Sequence, residues 1–164
     1  MITNDATIPG PARPYQGRPA GLVSRSLASG MDLVIVATVL VVLYAGWSAV
    51  RFLLRPAKFE FPEPSLLLVL VAGFAVLTLY LTLGWTMTGR TYGDHLMGLR
   101  VVDRAGNTLH LYRASLRAVL CALFPIGLAW TAFSAGNRSL QDILVRTTVT
   151  YDWHLGPRRE VRNP

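Results

Sequence analysis

Asp32 is the only charged residue between Leu27 and Val50. A carboxylate at the centre of an apolar membrane helix costs on the order of 2.5–3.5 kcal/mol on insertion scales. Asp32 therefore calls for a partner, a proton or a wet position near an interface. Arg25 precedes it by seven residues. On a helix that spacing puts the two on one face, about 10 Å apart along the axis. A second charged cluster is Arg138-Ser-Leu-Gln-Asp142, whose ends lie four apart and share a helix face. The chemistry open to these groups is ion pairing, or exchange of a proton or monovalent cation at a membrane carboxylate. His95, His110 and Asp94 bring metal to mind, but a site needs a third and fourth converging ligand. Cys121 is the single cysteine, so an internal disulfide and a thiolate cluster are excluded. The chain offers no nucleophile–base pair, phosphate loop or ligand set, which points away from an enzyme and from any cofactor.

Three apolar runs must position these residues: Leu27–Leu53, Ser65–Met87 and Ala118–Asn137. Each approaches the roughly 20 residues that a bilayer asks of a helix. Together they leave too little of the 164 residues for a separate catalytic domain of usual size. The expected fold is an all-α membrane protein, a small bundle of three hydrophobic segments. Two span fully; the third, interrupted by Pro125 and Gly127, spans or re-enters. Thr78, Thr82 and Thr86 fall on one face of the second segment, where back-bonding to their own helix is the inert expectation. In the second linker, Leu99–Asp103, a turn at Arg104–Asn107 and Thr108–Leu111 suggest a short β-hairpin. Arg146–Tyr151 also has strand character and could pair with Leu99–Asp103 if both lie on one side. The domain plan is a Pro- and Arg-containing disordered tail at residues 1–24, a transmembrane domain at 25–151 and a basic tail at 152–164.

The net charge of +7 could suggest nucleic acid, but the basic residues flank the apolar runs. They read as a topology signal and as contacts for anionic lipid headgroups, with the bilayer itself the first partner and no nucleic acid. With three full spans, eight Lys and Arg fall on each side; with a re-entrant third segment the split is thirteen to three. That asymmetry favours the re-entrant form and a cytoplasmic N-terminus.

Along the chain the motifs follow in order: Arg25 and Asp32, Thr88-Gly-Arg-Thr-Tyr-Gly93, Met97-Gly-Leu-Arg-Val-Val-Asp103, Arg113 and Arg117, then Arg138 to Asp142 and Thr147-Thr-Val149. This order resembles the RDD family of integral membrane proteins, over about Arg25 to Tyr151. The resemblance places the family's arginine on Arg25 and its two aspartates on Asp32 and Asp142. Gln141 stands where many members have histidine, which weakens any proton relay through that position. The resemblance implies a multi-pass protein of the cell membrane with no defined chemistry. Three readings stay open. Asp32 pairs with an arginine, Arg25, Arg117 or Arg138, and fixes helix packing, with Arg113 a further possible charge partner of the cluster. Asp32 carries a proton or cation in transport. Or the chain is an accessory or scaffold subunit, partnered by its own copies or by another membrane protein.

Overall fold

The computed structural model describes residues 14–103, 106–124, 127 and 139–153. Two long helices dominate it, α1 (Leu22–Leu54) and α2 (Leu66–Met87). At 1.5 Å per residue they are about 50 and 33 Å long, enough to cross the roughly 30 Å hydrocarbon core. Their most apolar windows have mean hydropathies of 2.4 and 2.6, and only 11% of each window is buried by the rest of the chain. A soluble core helix would be covered by protein; these two are long and apolar enough to cross a membrane. Ser65 caps α2, its hydroxyl accepting from Leu68 N–H at 3.3 Å. The threonine stripe is turned inward on its own helix: Thr78, Thr82 and Thr86 donate to the carbonyls of Phe74, Thr78 and Thr82. It therefore offers no hydroxyl to a neighbour through those bonds.

Short elements cluster at the Arg25 end: α3 (Tyr92–Leu96), β1 (Leu99–Asp103), α4 (Leu111–Leu123), α5 (Leu140–Val145) and β2 (Thr147–Tyr151). α4 packs along α2, and α3 against the first turns of α1. In α4 the buried residues are Ala114, Arg117 and Ala118, the one-sided spacing of an amphipathic helix. Small alanines bring it close to α2 and leave Arg117 as the one long side chain on that face.

The expected hairpin is replaced by a long-range pairing. β1 pairs antiparallel with β2, Val101 opposite Val149, Leu99 opposite Tyr151 and Asp103 opposite Thr147. A turn does form after β1, where Asn107 N–H bonds Asp103 Oδ1. However, Thr108–His110 is not a strand and Leu111 begins α4. β2 places Val149 and Thr147 in a core, 3% and 1% exposed, which Leu109 of the expected hairpin segment also enters, from outside the sheet. The N-terminal tail is shorter than expected. Gly17 and Ala20 donate to Tyr151 and Val149, and Pro19 bridges Thr150, so this segment lines the free edge of β2. The C-terminal tail likewise starts later: Asp152 N–H bonds Gly98 O at 2.8 Å. The third apolar run begins inside α4, and most of it, with Pro125, lies outside the described residues. The chain ends flanking that stretch are adjacent, since Gln141 Nε2 donates to Phe124 O at 2.7 Å.

A candidate charge-lined site at one end of the helix pair

Asp142 is placed by its own sequence. Ser139 is the N-cap of α5, its hydroxyl accepting from Asp142 N–H while the Asp142 carboxylate accepts from Ser139 N–H. This reciprocal capping box satisfies two orphan donors and aims the carboxylate inward. There it meets two arginines from distant elements. Arg25 of α1 donates to Oδ2, and Arg117 of α4 approaches Oδ1 at 2.9 Å. Thr147 Oγ1 adds a bond to Oδ1 at 3.2 Å. The Asp142 side chain is 0% exposed. Burial pushes its carboxyl upward in pKa, but the charges of Arg117 and Arg25, then the hydrogen bonds from Arg25 and Ser139, outweigh it and hold the group below its ordinary value. Trp85 of α2 lies beneath Arg117, 4.5 Å from guanidinium carbon to ring centroid, a cation–π contact in a dry setting.

Asp32 is held differently. No arginine pairs with it among the described residues, contrary to the expected ion pair. Three neutral donors take that place: Thr91 Oγ1 at 2.6 Å, Gly93 N–H at 2.8 Å and Tyr80 OH at 2.8 Å. The donors come from the start of α3 and from α2, so Asp32 ties the two spans to the second linker. Thr91 is itself the N-cap of α3, in a capping box with Asp94. Asp94 in turn accepts from Trp85 Nε1 at 3.0 Å, which joins the two carboxylate clusters through one indole. Gly93 has no room for a side chain, since a Cβ there would sit 2.1 Å from Ala28 O on α1. That close approach is what delivers its N–H to Asp32.

Between the two clusters lies a cavity of about 260 Å³ whose wall includes Arg25, Asp32, Trp85, Asp94, Arg117 and Gln141. The arrangement can hold charge of both signs at a helix end. The RDD family model matches residues 19–146, the stretch that carries Arg25, Asp32 and Asp142. The chain belongs to the RDD family. No curated protein and no solved structure matches it.

In this RDD protein, Arg25 and Asp142 meet directly, Arg117 completes the pair, and Asp32 lines the same cavity. Arg113 is exposed in the first turn of α4, and Arg138 lies outside the described residues. Sequence reasoning missed Tyr80, Trp85, Thr91, Gly93 and Ser139. A signal for two of them was present. Thr91-Tyr-Gly-Asp94 and Ser139-Leu-Gln-Asp142 have the same hydroxyl-to-carboxylate spacing, which is the mark of a capped helix start. His95 lies on α3 and His110 is the N-cap of α4.

Proposed function

We propose that this RDD protein is a non-enzymatic membrane module that serves as an accessory or scaffold subunit for its own copies or for another membrane protein. The observation that supports this is the convergence of Arg25 and Arg117 on Asp142. Through these ion pairs the groups hold α1, α4 and α5 together, as packing requires. Its place is the plasma membrane, with the N-terminal tail, second linker and C-terminal segment on the cytoplasmic side. The pairing of β1 with β2 supports the shared side, and the resulting thirteen-to-three split of basic residues supports the orientation. Cysteine labelling of the C-terminal tail in a Cys121→Ala background tests the topology; labelling only from outside would refute it. Detergent-solubilised protein should carry a partner, or further copies of itself, at fixed stoichiometry. A strictly monomeric, partner-free chain would end the scaffold reading.

One observation favours a second reading. Asp32 lines a cavity with neutral donors around it and no cationic partner among the described residues, as a carboxylate that exchanges a proton or monovalent cation would. In reconstituted vesicles, Asp32→Asn should then abolish cation flux, and no flux in the unaltered protein would remove this reading.

A further inference from the structure

The cavity has two unlike walls. On one, Arg117 is 6% exposed in its side chain, and its Nε and Nη1, with Nε of Arg25, have no hydrogen-bond partner among the described residues. A buried guanidinium donor without an acceptor costs about 1–3 kcal/mol or more, so three together mark a place for phosphate or carboxylate oxygens, which match the guanidinium fork. On the other wall stands Asp32. Its two oxygens offer about four acceptor sites, and three are taken, two on Oδ1 and one on Oδ2. Asp94 also borders the space. A purely anionic molecule would meet both carboxylates at close range. A head with a phosphate at one end and an N–H cation at the other suits both walls.

The remaining wall is apolar, with Leu33, Leu77, Leu81, Cys121 and Ala122. It runs on into a groove lined by Leu70, Val71, Phe74, Leu77 and Ala122, the last two belonging to both spaces. From Leu77 to Leu70 the groove follows about 10 Å of α2 toward the opposite end of the helix. A free phosphate or a water-soluble zwitterion would leave that groove unused.

We propose that the cavity and groove hold one aminophospholipid, with its phosphate against Arg117 and Arg25, its primary ammonium toward Asp32 and one acyl chain along α2. The site does not depend on the scaffold or transport reading. The ammonium supplies the cation that Asp32 lacks among its protein neighbours, and the phosphate supplies the acceptor that Arg117 lacks.

Native mass spectrometry of the full chain in mild detergent tests this. The probes are phosphatidylethanolamine, phosphatidylcholine and phosphatidylglycerol of equal chain length, and phosphorylethanolamine without chains. One phosphatidylethanolamine should be retained at about tenfold lower concentration than either other lipid, a difference of about 1.4 kcal/mol. Phosphorylethanolamine should give no adduct. Asp32→Asn should erase the preference over phosphatidylcholine, whose head lacks N–H donors. Ala122→Phe blocks the junction of cavity and groove without touching either carboxylate, and should lower retention at least about tenfold at an unchanged melting temperature. Equal retention of the three lipids overturns the proposal, as does tight binding of phosphorylethanolamine alone. Undiminished binding in a folded Ala122→Phe also overturns it. The headgroup ranking is measured on the unaltered chain, so it decides the matter even where a variant does not fold.

Discussion

The turn at Thr91 and the turn at Ser139 are two versions of one local frame. Each begins with a hydroxyl N-cap, places an aspartate at the third helical position and closes a capping box. Each then passes through a left-handed residue, Gly98 at φ 64° or Arg146 at φ 59°. Each continues into a five-residue strand with the same alternation of burial. The same number of residues separates Thr91 from Ser139, Asp94 from Asp142, Gly98 from Arg146 and Val101 from Val149. Because Val101 and Val149 face each other across the sheet, the two frames are related by an approximate two-fold axis through that pair. What differs is what reaches each aspartate. Asp94 receives the neutral indole N–H of Trp85, and Asp142 receives two guanidiniums. The frame fixes where a carboxylate goes, and the long elements decide whether it carries an ionic load.

That contrast breaks most visibly at Asp142. Asp142→Ala strands two buried cations and should cost about 3–5 kcal/mol, against a smaller loss for Asp94→Ala, where only neutral donors are orphaned. Unfolding in detergent, followed by circular dichroism, measures both; equal losses would show that charge is not what separates the frames. Acid provides a second route to the same point. The carboxyl of Asp142 lies below its ordinary value in the folded chain. Its contribution is thus complete above about pH 4, the unfolded range, and declines as pH falls through the folded value. An unfolding series from pH 6 to pH 2.5 should show that decline in the unaltered chain and a shallower one in Asp142→Asn.

The equivalent positions Gly93 and Gln141 sharpen the comparison further. Gly93→Ala drives a methyl into Ala28 O and Asp32 Oδ1 and should cost about 3 kcal/mol, the upper end for overpacking. Gln141→Ala loses the bond to Phe124 O and should cost about 1 kcal/mol. If the two losses are alike, the close approach of α3 to α1 is not a constraint. The smallest effect belongs to the left-handed residue Arg146. Arg146→Gly should raise stability by up to about 1 kcal/mol, because glycine adopts positive φ without strain. Gly98→Ala should lower it, since a Cβ would sit 2.5 Å from the Trp153 ring.

The long helices were legible because hydropathy is local, and α1 and α2 came within a few residues of their expected bounds. The site was legible only as far as opposite charge reveals it. Arg25 and Asp142 could be linked through the order of motifs. The partners of Asp32 could not, because a threonine hydroxyl, a glycine N–H and a tyrosine hydroxyl carry no charge and come from elements whose packing is set at long range. The hairpin expectation failed for a related reason. Turn chemistry at Asp103–Asn107 is present, yet Leu99–Asp103 pairs with the other strand legible in the sequence, Thr147–Tyr151, whose Val149 is buried in the core. Arg117 is legible as a candidate charge partner, and only the alanines beside it on α4 explain why it is buried.

The bond between Arg25 and Asp142 spans 117 positions of sequence, and this bears on the order of events at the ribosome. Until Asp142 is made, Arg25 is without the carboxylate that neutralises it. The brace between α1 and α5 can close only after both long helices have been made, so it is a late event in the life of the chain.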